Sequence, residues 1–218
     1  YNEVKGETEI VVHADNVEMN AWLESNPEYK QCNEYTVSGG DIYTSDYTKL
    51  VKVPFGTDSL SIENSVTEIG IAACYGLTNI TEVLIPDTVT IIHQDAFMYS
   101  TKLATINMPS ALTTIGSAAF LGCTSLTSIE FPENNINFGQ NILSDTSVTE
   151  IRVPDAVTYI GPSAFNGIPT LVKIVFGSGV TEMSSNTFGS CPILKTVMFR
   201  CPNAPRLSSN AFPNDATR

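Results

Sequence analysis

Two histidines, His13 and His93, and five cysteines, Cys32, Cys74, Cys123, Cys191 and Cys201, are the side chains of this 218-residue chain best suited to nucleophilic, redox or metal chemistry. Acid–base catalysis needs a proton acceptor poised within hydrogen-bond reach of its target. A zinc centre needs three or four His, Cys or acidic ligands, usually at short spacings. The two histidines are isolated and far apart in sequence, and no paired-His metal motif, glycine-rich phosphate loop or G-x-S-x-G elbow appears. A carboxylate pair brought together from distant segments is left open. On these residues the chain reads as non-enzymatic, with no cofactor and no metal.

The cysteines take their meaning from a repeat that runs through the chain. The apolar residues Leu60, Val83, Ile106, Ile129, Ile151, Ile174 and Val197 recur at steps of 23 or 22. Three further columns keep the same step, two of them lengthening it to 24 at their last member. They are Ile80, Leu103, Leu126, Val148, Leu171 and Leu194; then Ile69, Ile92, Ile115, Phe138, Ile160, Met183 and Leu207; then Phe97, Phe120, Leu143, Phe165, Phe188 and Phe212. Proline follows the first column at Pro86, Pro109, Pro132 and Pro154, where its missing N–H and fixed φ end a strand. Cys123 and Cys191 share one slot three repeats apart, roughly 14 Å at about 4.8 Å per stacked strand, whereas bonded cysteines need Cα atoms within about 7 Å. Cys74 sits in the phenylalanine column. All five cysteines are therefore expected as free thiols, which leaves the redox compartment open. His93 fills a slot otherwise held by Gly70, Gly116, Gly139 and Gly161, so it is expected at a surface turn.

Each repeat is expected to form one coil of a right-handed solenoid with about seven rungs. In Leu126-Thr127-Ser128-Ile129-Glu130-Phe131 the strand residues Leu126, Ile129 and Phe131 face inward. Leu112–Gly116 is a second extended piece, and Ser117–Leu121 suits a helical or 3₁₀ turn on the opposite face. One coil buries too little apolar surface to offset the entropy of ordering about 23 residues, so neighbours must cover it on both sides. A recurring Thr (Thr78, Thr101, Thr124, Thr146) is expected to form a hydroxyl ladder.

Runs such as Ile115-Gly116-Ser117-Ala118-Ala119-Phe120-Leu121-Gly122-Cys123 closely resemble the BspA-like class of leucine-rich repeats. The resemblance covers about residues 26–218. It implies a surface protein of a host-associated bacterium or protist, acting in adhesion to host, matrix or neighbouring-cell proteins. Departures are Cys74 in place of the spine Phe, a short fourth coil, and Gly177 and Arg200 in place of the strand-ending proline.

The expected organisation is residues 1–25 as an N-terminal cap or the tail of a preceding domain, 26–56 as a hairpin module, 57–200 as the repeats, and 201–218 as an incomplete closing repeat. Glu9–His13 reads as a strand. Asp15 and Glu18 read as the start of a short helix bearing Met19, Trp22 and Leu23. The last strand is expected to be an open edge unless further chain covers it.

Eleven basic residues against 23 acidic ones give a formal charge of −12. Such a surface disfavours nucleic acid, and no apolar run approaches the roughly 18 residues of a membrane helix. What remains is the outward strand face. Its first four rungs carry the acidic surplus; its last three carry Arg152, Val172, Lys173, Val175, Lys195 and Met198, cations beside apolar side chains. These six are the expected ligand face for an extracellular protein partner, with a structural spacer or stalk as the alternative.

Overall fold

The computed structural model describes residues 9–10, 33–38, 41–44, 47–208 and 210–212. The expected helix after Asp15, and Cys32, lie outside these residues. The rest forms a β-solenoid in which each coil contributes a segment to two strand faces. The first face holds β6 (Glu82–Val83), β8 (Thr105–Ile106), β11 (Glu150–Arg152), β13 (Lys173–Phe176) and β15 (Thr196–Phe199). The second holds β5 (Glu68–Ile69), β7 (Ile91–Ile92), β9 (Thr114–Ile115), β10 (Asn137–Phe138), β12 (Tyr159–Ile160), β14 (Glu182–Met183) and β16 (Arg206–Leu207). Neighbouring coils pair in parallel, for example Ile92↔Ile115 and Ile151↔Ile174. At the N-terminal end the second face continues through β4 (Lys49–Lys52), β3 (Asp41–Thr44), β2 (Asn33–Ser38) and β1 (Glu9–Ile10). There β2 and β3 form an antiparallel hairpin.

The four apolar columns form one continuous core. Cys74, Phe97, Phe120, Leu143, Phe165 and Phe188 are all fully buried along one line, and Phe97 and Phe120 stack with centroids 5.4 Å apart. The columns loosen at their C-terminal members: Phe212 is half-buried against Phe188, and Leu207 is 46% exposed because no described coil packs over it.

The expected helical turns are absent: among the described residues there is no helix. The reason is in the backbone. Two residues in most coils adopt positive φ, at Ala72, Asp95, Ala118, Asn141, Ser163 and Asn186 and again at Gly76, Tyr99, Gly122, Asp145 and Gly167. A left-handed residue interrupts a right-handed helix. The turn instead divides its donors. Ala119 N–H bonds Gly116 O within the coil, while Ala118, Phe120 and Gly122 donate to Gln140, Ile142 and Ser144 of the next coil.

Hydroxyl ladders tie the coils together, though not all where the sequence placed them. Thr124 Oγ1 donates to Thr101 O at 3.2 Å, as expected. Thr146 does not extend that row; it is buried and caps Leu143 O at 2.7 Å. The coil is one residue short only after Ser147, which leaves Thr146 in the Cys123 slot and puts Ser147 in the ladder, 2.7 Å from Thr124 O. A second ladder edges the second face, with Thr67, Thr90 and Thr113 each donating to the carbonyl of the Thr one coil earlier.

Candidate binding surface

The strand face of the last coils is built by β11, β13 and β15, a three-stranded parallel sheet. Its inward row is Ile151, Ile174 and Val197, and its register sets Arg152, Val175 and Met198 side by side. Lys195 N–H bonds Val172 O at 2.9 Å, which places those two in the adjacent row. All six residues expected on the ligand face therefore lie on one surface. Met198 is 48% exposed, Arg152 and Lys195 are exposed, and Val172, Lys173 and Val175 are half-buried between neighbours.

Two of the cations are already engaged. Lys173 Nζ lies 3.1 Å from Glu150 Oε2 across the strand pair, and Arg152 lies 2.9 Å from Glu133. At that exposure each ion pair contributes little, about 0–1 kcal/mol. Sequence reasoning named the cations and left out these partners, although the 23-residue step from Glu150 to Lys173 announces the contact. Beside them, the Ser178 N–H holds the Asp155 carboxylate below its ordinary range, helped by Arg200 and Arg152.

Groups that could support other chemistry are placed as follows. His93 Nε2 and Lys49 Nζ both meet Glu68 Oε2, at 2.9 and 2.7 Å, on adjacent strands of the second face. Burial alone would raise Glu68, but these two donors bring it below its ordinary value. Near the hairpin, burial lifts Asp41 to about 7 and lowers Lys52, whose ammonium bonds Ala72 O at 3.2 Å and sits over the Phe55 ring. Cys74, Cys123, Cys191 and Cys201 are free thiols. Cys123 and Cys191 are buried and donate to the carbonyls of Phe97 and Phe165 in earlier coils. Burial raises their thiols, Cys123 to about 12, the opposite of an activated nucleophile. Among the described residues no group of three His, Cys, Asp or Glu side chains could hold a metal, and no helix is long and apolar enough to cross a membrane.

A solenoid of parallel two-residue strands with a phenylalanine spine defines a leucine-rich-repeat protein. The BspA-type leucine-rich-repeat region model matches residues 55–168 and 90–217 with six copies, and the chain belongs to that family. Its members are typically protein-interaction modules. The chain is similar to the crystal structure of a T. pallidum leucine-rich-repeat protein, at 28% identity and TM-score 0.61, over 80% of this chain and 82% of that one. A Eubacterium ventriosum leucine-rich-repeat protein shares the fold at 19% identity and TM-score 0.69, over 85% of this chain and 50% of that one. The pneumococcal vaccine antigen PcpA shares it at 19% identity and TM-score 0.53, over 81% of this chain and 38% of that one. No curated protein sequence matches the chain.

Proposed function

We propose that this chain is an extracellular or cell-surface protein-binding module that engages a host, matrix or neighbouring-cell protein on the strand face of its last three coils. The observation that carries this reading is the in-register row Arg152–Val175–Met198 on the hydrogen-bonded sheet of β11, β13 and β15. Apolar side chains set beside cations on a rigid sheet are what interface hot spots require. The family's typical role in protein interaction and the surface placement implied by its BspA resemblance support the same reading.

The test is a pull-down with the tagged chain from matrix and host-cell extracts, followed by affinity measurement on the captured protein. Val175→Glu combined with Met198→Glu is expected to weaken that affinity more than tenfold, about 1.4 kcal/mol. The melting temperature should barely move, because both side chains lie on the outer row. Unchanged affinity would place the site elsewhere. A second reading, a spacer that presents another domain, is favoured by the ion pairs that neutralise Arg152 and Lys173. It predicts that the extracts yield no specific partner.

A further inference from the structure

At its N-terminal end the first face is not closed. In the coil of β8, Ala104 and Thr105 donate their N–H groups to Thr81 O of the preceding coil at 2.9 and 3.1 Å. One repeat earlier, Glu82 occupies the position of Thr105, so its N–H, and by strand alternation that of Leu84, aims at segment 58–62. Among the described residues no backbone hydrogen bond joins 58–62 to 81–86, and β6 pairs with β8 alone. Leu60 still packs against the core, but the backbone around it stands off from β6. A groove of about 470 Å³ lies between them, within the range of about 300–1,000 Å³ typical of ligand sites.

The far wall of this groove is held in place. Asn79 Nδ2 donates to Gly56 O at 3.3 Å and to Asp58 Oδ1 at 2.9 Å, and Tyr43 OH reaches Ser61 O at 3.4 Å. The lining carries Asp58 and Glu82 and no Lys, Arg or His. On the near wall Leu84 is 65% exposed, the most exposed of the chain's large apolar side chains among the described residues.

We propose that this groove receives an extended, cationic polypeptide segment, which adds as a strand to the free edge of β6. An unpaired strand edge supplies main-chain hydrogen bonds to any extended peptide. Asp58 and Glu82 select for lysine or arginine on that peptide, and Leu84, two residues beyond Glu82, offers one apolar anchor. The site is separate from the face on the last three coils, and its partner is a peptide segment rather than a folded surface.

The test uses a fluorescein-labelled heptapeptide alternating lysine and valine, followed by anisotropy at roughly physiological ionic strength, where the Debye length is about 8 Å. A second peptide of the same sequence and charge carries N-methyl groups on alternate residues, which strips the donors of one edge and blocks strand pairing. The unmodified peptide is expected to bind, with Glu82→Lys and the N-methylated peptide each weakening binding at least about tenfold. Leu84→Ser should weaken it several-fold, and Met198→Glu should not. All three substitutions fall on exposed side chains, and circular dichroism checks that each variant is folded. Equal binding of the two peptides would mean only charge attraction to an acidic chain and would overturn the proposal. So would undiminished binding by Glu82→Lys, or no binding of the unmodified peptide up to about 1 mM, a free energy of only about −4 kcal/mol.

Discussion

The two halves of the first strand face are built from the same repeat and behave differently. Between residues 81 and 131 the ladder is broken: β6 and β8 are two residues each, and Thr127–Phe131 forms no strand. Between 150 and 199 it is continuous, and the strands lengthen from three residues in β11 to four in β13 and β15. Proline accounts for much of this. Pro86, Pro109 and Pro132 close the strand segments of the first half, whereas Gly177 and Arg200 stand in that slot at the end of the second. Arg200 N–H bonds Phe176 O at 3.0 Å, a donor that proline lacks. Gly177 has its own role, since a Cβ there would lie 2.3 Å from Pro154 O. Both halves therefore keep their core columns, and at Arg200 a donor that proline lacks adds one more rung to the outer ladder.

The largest effect expected tests whether the halves differ only on the outside. Phe120→Ala and Phe165→Ala, one in each half of the shared spine, should both cost about 3–5 kcal/mol in urea denaturation. A much smaller loss at Phe120 would show that the first half is also loosely packed within.

The proline account is tested by Arg200→Pro. It removes the bond to Phe176 O and should cost about 1–3 kcal/mol, while Pro109→Ala should stay within about 1 kcal/mol of the parent. Equal costs at the two positions would dissociate strand length from proline.

Beyond the first half, the hairpin adds a pH dependence of its own. Asp41 has its folded pKa raised to about 7 from 3.8, so the folded chain holds this proton where the unfolded chain has lost it. Stability from this group is greatest at low pH and falls as pH rises through that window. Glu68, held below its ordinary value, acts in the opposite sense and loses its contribution only as pH drops below about 4. The melting temperature should decline by on the order of 5 °C between about pH 5 and pH 8. Asp41→Asn should remove that decline, and a slope that survives the substitution would assign it to another group.

The smallest effect concerns the turns common to both halves. Ala118 holds φ of 54°. Ala118→Gly relieves that strain at some cost in unfolded-state entropy, and a net gain of about 0.5 kcal/mol is expected in the same urea series.

The core was legible because it must repeat. A side chain such as Phe120 faces the same position in the coils above and below, so its period survives in the sequence even where Cys74 or Leu143 takes its place. The turns were not legible, because Ala118, Asp95 and Ser163 give no sign of left-handed φ. That conformation is imposed by bonds to the next coil, a non-local cause. The slip at Thr146 has a similar origin: the spacing shows that a residue is missing from the coil, but not on which side of Thr146. On the candidate surface the sequence named the six outward residues. It missed what they touch, and it missed the groove at 58–64, since a backbone that stands off from its neighbour leaves no mark on composition.

The shared turn bonds carry an electrical consequence. Every turn bond between coils described above runs from an N–H to the carbonyl of the following coil, and the series extends from Ala72 to Asn186. The carbonyls of Gln94, Ala96 and Met98 point toward the N-terminal end, while the N–H groups of Asp95, Phe97 and Tyr99 point toward the C-terminal end. Each of these peptide units carries a dipole of about 3.5 D, and aligned units add. The turn side of the solenoid is thus a polarised column, negative where it begins and positive where it ends. Lys52, whose ammonium is buried 3.2 Å from Ala72 O, sits at the negative pole. There the carbonyl ends of the nearest units favour the charge that burial alone would expel.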